Sequence, residues 1–336
     1  MLRVILFGLG PIGAAIGRLT QDKPNMKIVG AIDVDPAKVG QDVGRVIGLD
    51  RDLGVAVSSD AAEVLAVPAD VVLHCTGSYL EQVKDQLIQC LRAGKNVVST
   101  CEELSYPRRK HPALSADLDQ VARDNGVTLH GTGVNPGFVM DKLPLTLTSV
   151  CQQVDRVDVT RIVDAGKRRL PLQKKVGAGM SEVEFRQQVD AGVIKHHGLP
   201  ESAAMIADYL GLPIVKIEET IEPVMATAVV TTEYLTVQPG QVAGVKQICE
   251  AMGDGKVLVR LELQMYVGAP DAADTVRVHG KPDLTLTIPG GTHGDLATAA
   301  AAVNAVPLVA EAREGLRTAA DLPVRFAPGK LAEVLA

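Results

Sequence analysis

The stretch Leu2-Arg-Val-Ile-Leu-Phe7-Gly8-Leu-Gly10-Pro11-Ile12-Gly13, followed by an apolar run from Ile28 to Ile32 that stops at Asp33, decides the fold. It reads as a strand, a glycine turn, a helix and a second strand ending in a carboxylate. Each part has a physical task in holding a dinucleotide. Gly8 permits the tight turn, Gly10 lets backbone approach a pyrophosphate, and Gly13 lets the helix pack against the strand. The phosphates would sit over Pro11 and Ile12, at the positive end of that helix. Asp33 lies twenty residues beyond Gly13. There an acid accepts hydrogen bonds from both adenosine ribose hydroxyls and repels a 2′-phosphate, so NAD(H) is favoured; NADP(H) is possible where the acid swings aside. Glycine triplets also punctuate ordinary turns, and the chain has 32 glycines, so the weight rests on strand, helix and acid being in register.

Outward from this unit, strand-like runs at Val55-Ser58, Val71-Cys75, Asn96-Ser99 and Val127-Gly131 alternate with helical segments Tyr79-Ala93 and Leu114-Asn125. This rhythm predicts a parallel sheet with helices on both faces. Both helices end at a glycine stop, Ala93-Gly94 and Asn125-Gly126. After a helix near Phe138-Thr148 the pattern becomes β-rich, at Val154-Asp164, Val224-Val237, Lys256-Met265, Val276-His279 and Leu284-Ile288. Helices are expected near Ser181-Ala191 and Glu201-Leu210. The fold class is therefore α/β. Residues 1–136 form a Rossmann dinucleotide-binding domain, and residues 137–293 an α+β domain with a mostly antiparallel or mixed sheet. Residues 294–336 form a C-terminal segment whose alanine-dense helix, Gly294 to Leu316, returns to the Rossmann domain.

With 336 residues and 46% hydrophobic content the chain can bury two cores. A net charge of −6 without a long basic run, no tryptophan, and only five tyrosines and four phenylalanines argue against a nucleic-acid partner. No apolar stretch reaches the roughly 20 residues that cross a bilayer. Met1-Leu-Arg3 leads directly into the first strand without a signal-peptide cleavage region, so no membrane association and a cytoplasmic location are expected. Cys75, Cys90, Cys101, Cys151 and Cys249 are odd in number and include no CxxC pair, which points to reduced thiols and no metal site. Cys101 beside Glu102 has the look of a nucleophile, but no histidine partner is evident nearby, and the small buried role is the simpler reading.

Ligands of open α/β sheets bind beyond the carboxyl ends of the strands. Three segments occupy those places: Cys75-Thr76-Gly77-Ser78, Ser99-Thr100-Cys101-Glu102-Glu103 and Gly131-Thr-Gly-Val-Asn135-Pro-Gly-Phe138. Gly77 would give space to the nicotinamide ribose and Thr76 a hydroxyl, while the third turn aims amides at the nicotinamide or the substrate. The second segment carries an acid. A carboxylate whose pKa is raised by burial serves as general base where a substrate loses protons as it loses hydride. Either Glu102 or Glu103 fits that task, and either fits the ordinary role of an acid in a first helical turn.

The order of motifs resembles the family of 2,4-diaminopentanoate dehydrogenases and native NAD(P)-dependent amine dehydrogenases, whose amino-terminal domain is shared with dihydrodipicolinate reductase. The resemblance covers nearly the whole chain. It rests on Gly8 to Gly13, Ser99-Thr-Cys-Glu-Glu-Leu-Ser-Tyr106-Pro107, Gly131 to Phe138, and Asn304-Ala-Val-Pro307. It implies reversible oxidative deamination of a primary amine to a ketone or aldehyde plus ammonia, with Glu102 as catalytic acid/base and Glu103 the neighbour with which it is most easily exchanged. It also implies that Thr100, Asn135 and Asn304 join the cofactor-binding set and that the protein is a homodimer. Arg161 and His197 match residues that hold the substrate's polar end, Arg161 as a bidentate carboxylate clamp. Val163 and Gln264 depart from the diaminopentanoate type, which carries asparagine and histidine there, and so favour a less polar amine or ketone. Arg161 could instead form a structural ion pair with Asp164 or Glu233, and His196-His197 could be a solvent-exposed pair.

Three alternatives remain: 2,4-diaminopentanoate dehydrogenase proper, a dihydrodipicolinate reductase-like enzyme, and a non-catalytic NAD(P)-sensing protein. The reductase fingerprint places a lysine after a His-His pair and adds a Ser-Gly-Thr segment. Here His196-His197 runs into Gly198-Leu-Pro-Glu-Ser202. A sensor has no need of an acid at residue 102. The sheet of the second domain, with few helices to cover it, is expected to bury one face against a second subunit.

Overall fold

The computed structural model describes residues 1–327; residues 328–336, the end of the expected C-terminal segment, lie outside them. The chain divides into two compact units, Met1–Phe138 together with the chain from Gly294 onward, and Val139–His293.

The first unit alternates β1 (Leu2–Phe7), α1 (Pro11–Gln21), β2 (Met26–Ile32), α2 (Val43–Val46), β3 (Val57–Ser58), α3 (Ala61–Leu65), β4 (Val71–His74), α4 (Leu80–Arg92), β5 (Asn96–Ser99), a 3-10 turn (Glu102–Ser105), α5 (Pro112–Asp124) and β6 (Thr128–Gly131). The second contains α6 (Lys142–Thr148), β7 (Gln153–Asp164), α7 (Leu170–Lys175), α8 (Glu182–Asp190), α9 (Leu199–Leu210), β8 (Lys216–Met225), β9 (Val230–Thr231), β10 (Thr236–Val237), β11 (Val242–Gly253), β12 (Lys256–Tyr266), β13 (Ala273–Lys281) and β14 (Leu284–Pro289). The chain then returns to the first unit as α10 (Gly294–Glu311) and β15 (Gly315–Arg317).

The first sheet runs β15-β6-β5-β4-β1-β2-β3, with parallel pairing throughout. Strand order reverses between β1 and β4, the switch point at which doubly wound sheets open a crevice at their carboxyl ends. Val4, Ile5, Val71, Val72 and Val97 are fully buried, as expected of strands covered on both faces. Helix α1 lies close over β1 because Gly13 and Gly17 face it; a Cβ on Gly17 would stand 2.9 Å from Leu6 Cδ1. Helix α10 turns Ala299, Ala302, Val303 and Val306 into the same core. It ends earlier than the sequence suggested, and Gly315–Arg317 becomes a seventh strand beside β6. Gly315 has φ +111°, which no helix accommodates, and the Leu316 amide donates to Asp119 Oδ1 at 2.7 Å.

The second sheet runs β14-β13-β7-β12-β11-β8, and only β7 and β12 pair in parallel. Here local reading and structure diverge at four places. Val224–Val237 is the end of β8 plus a small β9–β10 hairpin, not one strand. β8 itself is disguised by three glutamates and Pro223, which an edge strand tolerates. β11 is disguised by Gly244 and charged residues; a Cβ on Gly244 would lie 2.2 Å from the Met265 carbonyl of its neighbour β12, so the close approach demands glycine. Helix α6 begins at Lys142, four residues later than Phe138, after a turn. One face of the sheet, including Val159, Leu261, Leu263, Cys249 and Val276, is buried, and α9 packs against β8, β11 and β12. The other face, with Thr160, Glu262, Lys246 and Glu250, is half-exposed.

Candidate active site

The glycine turn has the division of labour its spacing predicts. Gly8 has φ +92°, and a Cβ there would strike the Cys75 carbonyl oxygen at 2.6 Å; one on Gly13 would sit 1.9 Å from the Gly8 carbonyl oxygen. Gly10 faces open space, with nothing within 4 Å of the position a Cβ would take. It caps α1 without a side chain, Pro11 and Ile12 follow, and no acid occupies the first turn, so the free amides and the dipole remain available to a phosphate. This cradle, closed to side chains on the protein side and open at Gly10, fits a dinucleotide pyrophosphate.

Asp33 ends β2 beside the cradle. Its Oδ2 accepts the Leu9 amide at 2.7 Å, its Oδ1 the Asp35 amide at 2.9 Å, and Lys38 Nζ lies 3.2 Å from Oδ2. Burial pushes its carboxyl upward, but the two amides and the ammonium outweigh it and hold the group below the usual carboxylate range.

The carboxyl ends of β4 and β5 are tied by a polar chain that the sequence reading missed. Cys101 N–H donates to Ser99 Oγ at 3.1 Å, Ser99 Oγ lies 2.9 Å from His74 Nδ1, and His74 Nε2 lies 2.9 Å from both Gln86 Oε1 and Thr76 Oγ1. Thr76 Oγ1 donates to the same Gln86 oxygen at 2.6 Å. One proton arrangement suits these contacts: a neutral imidazole protonated on Nε2, with Nδ1 accepting from the Ser99 hydroxyl. Burial depresses the His74 pKa to about 4, which keeps the ring neutral. The only trace in the sequence is a histidine closing the apolar run Val71-Val-Leu-His74; of its partners, Thr76 is two residues away but Gln86 and Ser99 are 12 and 25.

The two glutamates after β5 are separated by the geometry of their 3-10 turn, in which successive side chains diverge by about 120°. Glu103 turns inward and is 3% exposed. Its Oε2 accepts the Leu80 amide at 2.8 Å, at the start of α4, whose own N-cap supplies no side-chain bond; Lys110 Nζ stands 2.5 Å from Oε1 and His111 Nε2 3.2 Å from Oε2. Burial pushes this carboxyl up, and Lys110 with the Leu80 amide pulls it below the usual range. Glu102, one residue earlier in the turn, is half-buried. Its neighbour Cys101 is 1% exposed, donates its thiol to the Ser78 carbonyl at 3.3 Å, and has its pKa pushed up by burial to about 12. Such a thiol stays protonated and is no nucleophile. Thr100 hydrogen-bonds the Cys75 thiol, which burial also raises to about 12.

The third segment closes on this turn. A Cβ on Gly131 would lie 2.6 Å from the Leu104 carbonyl, so glycine lets the end of β6 rest against the Glu102–Ser105 turn. Gly137, at φ +121°, folds the loop back on Gly133, and the Val134 amide reaches Thr298 Oγ1 in α10 at 3.4 Å. Asn135 is buried in this loop; Asn304 is half-buried in α10, which packs against β4, β5 and β6. Thr76 is exposed and Gly77 half-buried at the end of β4.

In the second unit Arg161 is 3% exposed on the buried face of β7. Its Nη1 donates to Asp274 Oδ2 at 2.9 Å and its Nη2 to the Thr292 carbonyl at 2.6 Å, while the Thr292 amide donates to the same Asp274 oxygen at 2.7 Å. The partner is thus neither Asp164, which instead accepts the Gly166 amide at 2.9 Å, nor Glu233. Burial lowers the guanidinium pKa and Asp274 opposes it. Val163 lies two residues on, on the same face and paired with Met265. His197 is half-buried in the loop before α9. The loop is tied to that face through Gln247, whose amide bonds the His196 N–H at 2.9 Å and carbonyl at 2.8 Å. Gln264 does not join them. Its register partner is Ile162, so it faces the half-exposed side of the sheet, where it donates to Glu262 Oε1 at 2.6 Å. The expected single wall of four residues is split by the two-residue pleat.

Residues 2–104 match the sequence family of the dihydrodipicolinate reductase N-terminus, and residues 138–333, more than half the chain, match the 2,4-diaminopentanoate dehydrogenase C-terminal domain. The chain is 30% identical to the 2,4-diaminopentanoate dehydrogenase of Acetoanaerobium sticklandii, across 96% of this chain and 94% of that protein. It is 27% identical to an amine dehydrogenase of Streptomyces virginiae, across 98% and 99%. The solved amine dehydrogenase of Mycobacterium smegmatis is similar at a TM-score of 0.84 and 30% identity, covering 97% of each chain. The match to the dihydrodipicolinate reductase sequence family is confined to residues 2–104. The C-terminal match and the whole-chain relatives together show that the chain belongs to the family of 2,4-diaminopentanoate and amine dehydrogenases, oxidoreductases that act on CH–NH2 donors.

Proposed function

We propose that this enzyme interconverts a primary amine and its ketone or aldehyde plus ammonia with NAD(P)(H), using Glu102 as acid/base. The observation that carries the assignment is the separation of the two glutamates. Glu103 is buried and holds the Leu80 amide and Lys110, whereas Glu102, half-buried in the same turn, is the more accessible carboxylate at the carboxyl end of β5. Gly8, Gly10, Pro11, Ile12 and Gly13 hold the pyrophosphate and Asp33 the adenosine ribose, while Thr76, Gly77, Thr100, Asn135 and Asn304 line the nicotinamide side. When bound, the oxidised nicotinamide takes a hydride from the amine-bearing carbon.

Glu102 first accepts hydrogen bonds from the substrate ammonium, then takes its proton and frees the nitrogen lone pair to form the C=N bond as C–H breaks. Once it has passed that proton on to water it is anionic again, and its negative charge stabilises the positive iminium that develops beside it. It then moves protons between the water that adds to the iminium carbon and the ammonia that leaves. His74 and Ser99 keep the ends of β4 and β5 in place while this happens. Arg161, Val163 and His197 belong to the substrate side. With Val163 apolar and Arg161 held by Asp274, they favour a simple amine over an amino acid. The half-exposed face of the second sheet is the surface for a second subunit, making a homodimer.

The test is ammonium-dependent oxidation of NADH and, separately, NADPH at alkaline pH with cyclohexanone, butanone, small aldehydes and 4-oxopentanoate, followed by nicotinamide absorbance. Turnover with simple ketones above the keto acid is the expected result. Glu102→Gln should lower kcat by about 10²–10⁴-fold while leaving ADP binding intact. Equal, mild effects of Glu102→Gln and Glu103→Gln would remove Glu102 from its role. Cofactor binding without ammonium-dependent turnover would favour the sensing protein.

A further inference from the structure

Asp33 is not the only charged group at the end of β2. The chain continues Val34-Asp35-Pro36-Ala37-Lys38, and Asp35 organises the turn: its Oδ1 accepts the Ala37 amide at 3.0 Å, and its carbonyl the amides of Lys38 at 2.9 Å and Val39 at 3.1 Å. Gly40 N–H on the Val57 carbonyl, 2.8 Å, anchors the far end to β3. The backbone of Lys38 is therefore held, and its side chain reaches back over the acid. Nζ stands 3.2 Å from Asp33 Oδ2 and 3.3 Å from Asp35 Oδ2. The Lys38 side chain is 27% exposed and that of Asp33 10%, which leaves the ammonium the more accessible of the pair. The nearby arginines are engaged elsewhere, Arg45 with Asp52 and Arg18 with the Ile47 carbonyl.

An acid at this position rejects a 2′-phosphate by like charge. Lys38 changes that balance. It offsets one of the two carboxylates, and its compact charge on a flexible stem can pivot without losing Asp35 as a partner. Asp33 Oδ2 already accepts the Leu9 amide, so a ribose hydroxyl that bonds this oxygen competes with Lys38 for the remaining place.

We propose that Lys38 sets the adenosine specificity of this site: its ammonium turns from Asp33 onto the 2′-phosphate of NADP(H), and gives way to the ribose hydroxyl of NAD(H), so that both forms are accepted. The proposal rests on the dinucleotide reading above and not on the identity of the amine.

The experiment is calorimetric titration of ADP and of adenosine 2′,5′-bisphosphate into the wild type, Lys38→Met and Lys38→Arg, with the NADPH/NADH ratio of kcat/KM as a second readout. The wild type should bind both nucleotides. Lys38→Met should weaken the bisphosphate at least about tenfold, the worth of one charge-assisted hydrogen bond. Its ADP affinity should hold or rise, because the ribose no longer displaces an ammonium. Lys38→Arg should retain the bisphosphate. A wild type that binds ADP but not the bisphosphate, or a Lys38→Met protein that binds both as the wild type does or loses both equally, overturns the role of Lys38 alone. Binding of neither nucleotide overturns it together with the dinucleotide reading.

Discussion

A single methyl group distinguishes the glycines of the first turn. At Gly13 it would collide with backbone at 1.9 Å, whereas at Gly10, with φ −65°, it meets nothing within 4 Å. Gly13→Ala should therefore destabilise the protein by about 3 kcal/mol, the upper range of overpacking penalties. Gly10→Ala should leave stability within about 0.5 kcal/mol of wild type. Urea denaturation measures both. ADP titration should show Gly10→Ala weakened at least about tenfold despite its intact fold, since the added carbon occupies the space left for the pyrophosphate. Arg161 makes a different prediction. With its ion pair 4% and 0% exposed, Arg161→Ala strands Asp274 and should cost about 3–5 kcal/mol. The double variant Arg161→Ala/Asp274→Ala should recover part of that loss in the same denaturation assay. No recovery would mean that the two charges are not energetically coupled.

At the scale of elements, His74 joins two strand ends and makes stability depend on pH. Its folded pKa lies near 4 against an ordinary 6.5, so between these values the unfolded chain binds more protons than the folded one. Stability from this group is complete above about 6.5 and falls as pH drops toward 4, by ~3 kcal/mol in all. His74→Gln should be less stable at pH 7 by about 1–3 kcal/mol, from lost buried hydrogen bonds. Its further loss on acidification to pH 5 should be smaller than that of the wild type; parallel curves would show that His74 is not the titrating group. Glu103 has the opposite chemistry with the same sign. Its depressed carboxyl contributes stability above its ordinary value of 4.5, and that contribution is lost as pH falls through the lower folded value. The Glu103→Gln variant should thus be less stable at neutral pH and less sensitive to strong acid.

At the scale of the whole molecule, the six-stranded sheet is buried on one side and half-exposed on the other. The open side carries Thr160, Thr275, Thr287 and the ion pairs of Arg260 with Glu250 and Glu262. Burying that side in a second copy predicts a dimer by sedimentation at micromolar concentration. A monomer throughout that range would leave the sheet face to solvent. A charge reversal at Arg260 should weaken the dimer without altering ADP binding by the first unit.

Local pattern was enough for most elements of the first unit, because glycine geometry, apolar runs and helix stops act over a few residues; the exceptions were the short helices α2 and α3, and β15, which reads locally as the end of a helix. The cradle at Gly8–Gly13, Asp33 at the end of β2 and the acid-bearing segment after β5 were legible for that reason. Tertiary structure alone decided three matters: that Glu103 braces α4, that Arg161 answers to Asp274 across 113 residues, and that Gln264 faces away from Val163. It also revealed β11, where Gly244 and charged residues hide a central strand. Each depends on register or on contact between segments distant in the chain. A residue's type limits which partners it accepts, but only the assembled sheet determines which of them comes within hydrogen-bonding distance.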